Sequence, residues 1–310
     1  MSPLVDTTYF TLWPPGSSGV AFLGLEAVVL LCGALTFVHA RRSGNLFTWS
    51  AIFIYGVALE IIAYNAFPNF THGQFTVMFY HRKLPLYVTF VYPVMLYTSW
   101  ASVRRLGLPA WAQAVVTGLA IVALDAPFDI VGPDAGFWSW SALDPNVGHR
   151  WLGVPVTSYY WHLTWGAILT ALGRLLEPRL PRVGPVLVAG ATIALGRVAF
   201  LPFDLLLPLG VSQGAIAASA IGLAAAVALA VVRPARRADS LLLASVVLFA
   251  GFHAVMAAWL YQPLKAATVA TALVALLGLH ARGRGSLQRT APPLPEPAPR
   301  PAESPSSTTT

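Results

Sequence analysis

Long apolar stretches alternate with short polar breaks along almost the whole chain. A helix needs about 20 mainly apolar residues to cross the hydrocarbon core of a bilayer. Nine stretches meet that need: 19–39, 47–67, 84–103, 110–131, 155–173, 184–206, 212–232, 239–261 and 264–281. The pattern predicts an all-α fold, a polytopic membrane bundle of about nine transmembrane helices. Most breaks are short, but 68–83 and 132–154 are long enough to hold structure of their own. The second of these carries Trp138, Trp140 and Trp151, and tryptophan favours the membrane interface, so an aromatic belt is expected there.

Basic residues set the orientation. Arg41, Arg42, Arg104, Arg105, Arg174, Arg179, Arg182, Arg233, Arg236, Arg237, Arg282, Arg284, Arg289 and Arg300 all follow odd-numbered stretches. These are 14 of the 19 lysines and arginines; Arg82, Lys83, Arg150 and Lys265 fall on the other side, and Arg197 lies within a span. The basic side is cytoplasmic, which predicts the N-terminus outside and the C-terminus inside. Residues 1–18 then form an extracytoplasmic segment with no basic n-region of a signal peptide. Residues 19–281 form the membrane domain. Residues 282–310, basic and then rich in Pro, Ser and Thr, are expected to be a disordered cytoplasmic tail.

Composition agrees. Hydrophobic residues make up 56% of the chain and charged residues 10%, with a mean hydropathy of +0.67; soluble domains carry about 25% charged residues. The expected location is integral to a membrane, the bacterial cytoplasmic membrane, in contact with its lipids. The net charge of +7 is dispersed as topology signals between apolar runs, so nucleic acid is not an expected partner. The single cysteine, Cys32, lies in an apolar run and excludes an internal disulfide. Asn69-Phe70-Thr71 matches a glycosylation sequon in the first long break.

Against this background the ionisable residues inside the spans stand out. Glu60, Asp125, Asp129, His162, Arg197, Asp204 and His253 all lie in apolar stretches. Charge in hydrocarbon costs several kcal/mol, so such residues face a protein interior and mark functional sites. With the predicted topology all seven come to the outer half of the membrane, which suggests one shared polar cavity. Glu26 shares that depth but has no evident partner. Asp125 and Asp129, one helical turn apart, share a face, and Pro127 between them removes a backbone hydrogen bond and kinks the helix. Two neighbouring carboxylates that share a proton supply what a general acid and a general base need. Pro127-Phe128-Asp129 is echoed by Pro202-Phe203-Asp204. Arg197, two turns before Asp204, can pair with it or with Asp129 to hold helices together.

Other chemistries find less support. No HxxxH or HExxH pair is present, so no metal and no other cofactor is expected, although His72, His81 and His149 join the intramembrane histidines on the outer side. Ser158 precedes His162 by one turn, and no Walker-type phosphate loop occurs. Lys83 and Lys265 sit at span ends, where neither is placed to carry a Schiff base. Acid–base chemistry on an apolar substrate fits best: a carboxyl protonates an alkene, aromatic faces stabilise the cation, and a carboxylate activates water.

The stretch Leu124-Asp125-Ala126-Pro127-Phe128-Asp129, then Trp138-Ser139-Trp140, Trp151-Leu152-Gly153-Val154-Pro155 and Trp161, resembles the multi-pass carotenoid-biosynthesis hydratases, among them the bisanhydrobacterioruberin and carotenoid 1,2-hydratases. Glu60, Tyr80, Leu84-Pro85-Leu86-Tyr87 and Trp100 extend the likeness to about a third of the chain. The chain departs from the family's pattern at Ile130, where a proline is usual, and in lacking an asparagine after the Gly-x-Pro. The resemblance implies a hydro-lyase acting on a carotenoid-like lipid. Asp125 and Asp129 are then acid and base, and Glu60 and His162 complete the polar end. Tyr160, Trp161, Trp138, Trp140, Arg197, Asp204 and His253 line the substrate. The competing expectations are a non-enzymatic carrier of protons, ions or lipid, and an intramembrane metal-dependent lipid hydrolase.

Overall fold

Backbone polar groups cannot be left open in hydrocarbon, so the apolar runs must close their hydrogen bonds within themselves as helices. A computed structural model of the chain describes residues 9–17, 19–67, 69–142, 144–233, 239–260 and 262–280. The expected tail 282–310, with its arginines, and residues 1–8 of the expected N-terminal segment lie outside the described residues, as do Arg236 and Arg237.

Helices run in the order α1 (Val20–Arg42), α2 (Leu46–Ala66), α3 (Leu86–Tyr92), α4 (Thr98–Arg104), α5 (Ala110–Val131), α6 (Val156–Leu176), α7 (Gly184–Ala199), α8 (Leu201–Leu206), α9 (Gln213–Val231), α10 (Ser240–Trp259) and α11 (Pro263–His280). The chain is thus an all-α bundle. Among the described residues, six stretches are long and apolar enough to cross a membrane: Val20–Arg42, Leu46–Ala66, Ala110–Val131, Gly184–Leu209, Gln213–Val231 and Ser240–Trp259. The other three predicted spans are helical but fall short of that standard, each for its own reason. A π-helical turn at Pro93–Tyr97 interrupts the third, between α3 and α4. Pro93 has no N–H to give to the preceding turn, and the wider turn absorbs the defect. The fifth, α6, carries Thr157, Ser158, Tyr159, Tyr160 and His162 in its first two turns. In α11 the described apolar run is Pro263–Gly278, shorter than the other candidates.

Helix α5 is central, packing against α4, α6, α9, α10 and α11. Its tightest partner is α6, because glycines let the two backbones touch. A Cβ on Gly118 would stand 2.1 Å from the Leu163 carbonyl oxygen, and one on Gly166 would stand 2.4 Å from Ile121. Small residues at helix crossings are the usual route to close packing in membranes. Side-chain caps start two outer helices: Ser212 accepts from the Ala215 amide, and Asp239 accepts from those of Leu241 and Leu242.

The two long breaks fold back over one end of the bundle as short strands. Strand β1 (Phe10–Leu12) pairs with β3 (Val77–Phe79), which pairs with β4 (Leu84–Pro85). Strand β2 (Phe70–His72) pairs antiparallel with β5 (Trp138–Trp140), in the register Phe70↔Trp140 and His72↔Trp138. Arg150–Trp151 and Val154–Pro155 form a further small hairpin, β6 and β7. Glu26 has a partner after all: it accepts from the Thr76 amide at 3.1 Å and so ties α1 to the loop before β3. Lys265 at the start of α11 pairs with Asp134 in the second loop.

Candidate functional site

Beneath the β2–β5 ribbon lies a cavity of about 50 Å³, room for about three or four waters. Alternate residues of a strand face the same way, and the ribbon uses this. Phe70, His72, Trp138 and Trp140 all turn to the cavity, while Thr71 and Ser139 meet on the outer face at 2.9 Å. Trp138 is therefore not an interfacial ring. It is buried and stacked against Phe128 of α5 at 4.3 Å between ring centres. The sequon residues Asn69–Thr71 are drawn into the ribbon, with the Asn69 carbonyl accepting from Ser141.

Two groups of ionisable side chains meet at this cavity. The first is built on α5 and α6. Asp125 and Asp129 share one face of α5, and Ser158 and His162 share one face of α6, both at a spacing of four. The glycine-mediated contact of the two helices brings these faces together. Ser158 donates to Asp129 Oδ2 at 2.6 Å. His162 Nδ1 donates to the Ser158 carbonyl at 2.9 Å and stands 3.2 Å from Asp125 Oδ2. One donor atom from each of Asp125, Asp129 and His162 lies within 4.8 Å of the others, and all three residues are buried. Neither oxygen of Asp125 has a hydrogen-bond partner.

The second group is built on α2, α3 and β2. Gly56 leaves room for the ring of Tyr92, which would be 2.5 Å from a Cβ there. One turn further along α2, Tyr92 donates its hydroxyl to Glu60 Oε1 at 2.7 Å. Glu60 Oε2 faces His72 Nε2 at 3.5 Å, and His72 Nδ1 is 3.4 Å from the Tyr87 hydroxyl. Glu60 Oε2, His72 Nε2 and the indole nitrogen of Trp140 make no hydrogen bond, although all are buried. Buried polar atoms are normally paired. Here several unpaired ones belong to residues around a single cavity, as expected of a place that receives a polar ligand or water. Among the described residues, no lysine or arginine lines it.

Of the seven intramembrane titratable groups, the structure gathers Glu60, Asp125, Asp129 and His162. The other three lie elsewhere. Arg197 and Asp204 pair with each other at 2.7 Å with side chains 65% and 46% exposed, away from the cavity. The chain breaks at Phe200 between α7 and α8, which turns both residues outward. Asp129, by contrast, is buried, so the two Pro-Phe-Asp sequences occupy unlike environments. His253 is fully buried, but it packs against Phe128 with Nδ1 bonded to the Phe249 carbonyl and does not reach the cavity. Trp161 and Trp140 line the cavity, whereas Tyr160 does not. Tyr160 packs with Phe203 in a separate cluster and donates to the Ala199 carbonyl at 2.8 Å. The cavity adds Tyr92, His72, Phe70, Phe128 and Ser158 to the expected set. Of these, Ser158 carried a local signal in its one-turn spacing from His162, and His72 stood among the outer-side histidines.

Residues 17–178, just over half of the chain, match the family model described as a domain of unknown function, DUF7802. The chain belongs to that family. The matched region runs from the residues before α1 to just past the end of α6 and contains all the described residues that line the cavity, whereas Arg197, Asp204 and His253 fall outside it. No curated protein and no solved structure matches the chain.

Proposed function

We propose that this protein is an intramembrane enzyme that adds water across a C=C bond of an isoprenoid lipid, the carotenoid class included. The proposal takes the chain to cross the bacterial cytoplasmic membrane nine times, with its N-terminus outside. One observation carries the reading: acidic groups from separate helices share a small aromatic-walled cavity with polar atoms that lack partners. The small, partly open cavity suits water and the reacting end of a long lipid, not its whole length.

Glu60 delivers the proton. Its Oε1 is held by Tyr92, and its Oε2 makes no hydrogen bond and stands 3.5 Å from His72 Nε2 in the cavity wall. This divides the labour differently from the sequence expectation, in which Asp125 and Asp129 supplied both acid and base. The proton adds to one alkene carbon, and the π electrons form that C–H bond. The rings of Phe128, Trp138 and Trp161 face the cation left on the other carbon. Water held by Asp125 and Asp129 bonds to that carbon through its oxygen, and its surplus proton returns to Glu60. His72, between Glu60 and Tyr87, gives the proton a path when the acid must be reset.

The assay is direct. Purified protein in lipid is given an acyclic carotenoid in ¹⁸O-water, and the product is examined for a labelled hydroxyl. Glu60→Gln and Asp125→Asn are expected to lose incorporation by about 100-fold or more, the scale of a missing acid–base group. If no label enters with the unaltered chain, and removing the protein leaves cellular pigments unchanged, hydration is the wrong reaction.

A further inference from the structure

We propose that Asp125, Asp129 and His162 hold one divalent transition-metal ion, and that the water added in the reaction is bound to it. This rests on reading the cavity as the place where water is activated. Three protein ligands with further positions open toward a cavity is the arrangement of catalytic zinc centres.

Four features argue for an ion over a carboxylate pair that merely shares a proton. First, the three donor atoms already lie within 4.8 Å of one another. Ligand atoms about 2.1 Å from one metal stand roughly 3–4 Å apart, so side-chain rotation alone closes the shell. Second, Asp125 is 1% exposed and its oxygens accept no hydrogen bond; its one near neighbour of possible positive charge is His162, 3.2 Å from Oδ2, and among the described residues no lysine or arginine lines the cavity. A buried carboxylate without a counter-charge is strongly unfavourable. Third, one ligand is held from behind: Ser158 gives its hydroxyl to Asp129 at 2.6 Å. Metal-bound carboxylates carry such outer partners. His162 Nδ1 stands 3.2 Å from Asp125 Oδ2, so ligation through it exchanges its bond to the Ser158 carbonyl for the ion. Fourth, and independent of the cluster, the His72 side chain is 7% exposed and lines the same cavity with Nε2 unbonded. It gives an ion-bound water a second contact. Two carboxylate oxygens and one imidazole suit Zn²⁺, Mn²⁺ or Fe²⁺ and do not suit a thiolate-seeking ion.

The sequence hides this site because its spacing is split. Asp125 and Asp129 sit on one helix and His162 on the next, joined only by the glycine contact.

The test uses the full chain in lipid nanodiscs, stripped with chelator and titrated with Mn²⁺, following the fall in the free-ion EPR signal; Zn²⁺ uptake is read by elemental analysis. The expected result is one ion per chain. Affinity should fall by about tenfold or more in Asp125→Asn and His162→Gln, and change little in Tyr92→Phe, which lies in the other group. Helical circular dichroism shows whether each variant is folded, and if neither is, the stoichiometry of the unaltered chain decides. Absence of binding in the unaltered chain, or equal binding by both folded variants, overturns the proposal. The ion and the reaction can fail separately. A metal-free chain that still incorporates ¹⁸O removes the ion and keeps the hydration, whereas a chain with one ion that leaves carotenoid untouched does the reverse.

Discussion

The pairing of Glu60 with Tyr92 depends on a residue that contributes no side chain. A methyl group at position 56 would meet the Tyr92 ring at 2.5 Å, so Gly56→Ala must push the ring away and draw its hydroxyl off Glu60. Overfilling a packed site costs about 1–3 kcal/mol, and losing a hydrogen bond to an ionisable group costs a similar amount. Tyr92→Phe and Gly56→Ala are each expected to lower stability by about 1–3 kcal/mol on those scales, read by thermal unfolding in detergent. The double variant should fall short of their sum, because both act through the same hydroxyl. Additive losses would mean that Gly56 and Tyr92 act independently. At this scale the sequence was legible for the acids and not for their partners. Glu60, Asp125 and Asp129 are conspicuous because charge is rare in apolar runs. Tyr92 and Phe128 look like ordinary membrane-helix residues until the packing is known.

Among the elements, the seam between α5 and α6 decides whether there is a site at all. Gly118 and Gly166 set the distance between the helices, and that distance brings Asp125 and Asp129 to Ser158 and His162. In Gly118→Ala the new methyl would meet backbone, the Leu163 carbonyl at 2.1 Å, and backbone cannot rotate aside. This variant is expected to lose metal uptake and hydration together, with a stability cost of about 1–3 kcal/mol. A folded Gly118→Ala chain with normal uptake would show that the seam tolerates widening. The ribbon over the cavity offers a second handle. A Cβ at Gly132 would meet the Trp138 indole at 1.9 Å, so Gly132→Ala should lift Trp138 from Phe128, seen as a shift and quenching of tryptophan fluorescence. Which stretches are helical could be read from the chain, but direction around each helix could not. The apolar runs carry apolar residues on every side, so nothing in them marks which face meets protein. Arg197 and Asp204 lie in an apolar run as the others do, yet they face away from the cavity. His72 was obscure for a different reason: it lies in a polar break, and only pairing with a strand 66 residues later turns it inward.

For the whole molecule, the positions of the helices followed from hydropathy, while their arrangement did not. Each predicted span is mainly helical where it is described, yet α5 sits at the centre and α9 at the rim, with 72% and 22% of their apolar windows buried. That difference comes from which helix meets which. Orientation can be tested through the lone cysteine. Cys32 is buried, and Cys32→Ala gives a background for single labels. Ser139→Cys, on the exposed face of the ribbon, is expected to react with an impermeant maleimide added outside intact cells, and Arg42→Cys only after the membrane is opened. The opposite pattern would invert the assignment and place the cavity at the cytoplasmic surface.

The order of synthesis gives Glu60 a history that the finished fold conceals. Its contacts come later in the chain, His72 by 12 residues and Tyr92 by 32, and the cover strand β5 emerges after α5. When α2 first reaches the insertion machinery, its acid has no companion. A carboxylate near the middle of a span raises the insertion free energy by about 2.5–3.5 kcal/mol, which the apolar residues around it must outweigh unaided. The nascent chain therefore depends on the surplus apolarity of α2 at that moment. A variant that trims it, such as Ile61→Ser beside the acid, would fail during biogenesis, although the completed protein would have tolerated the change.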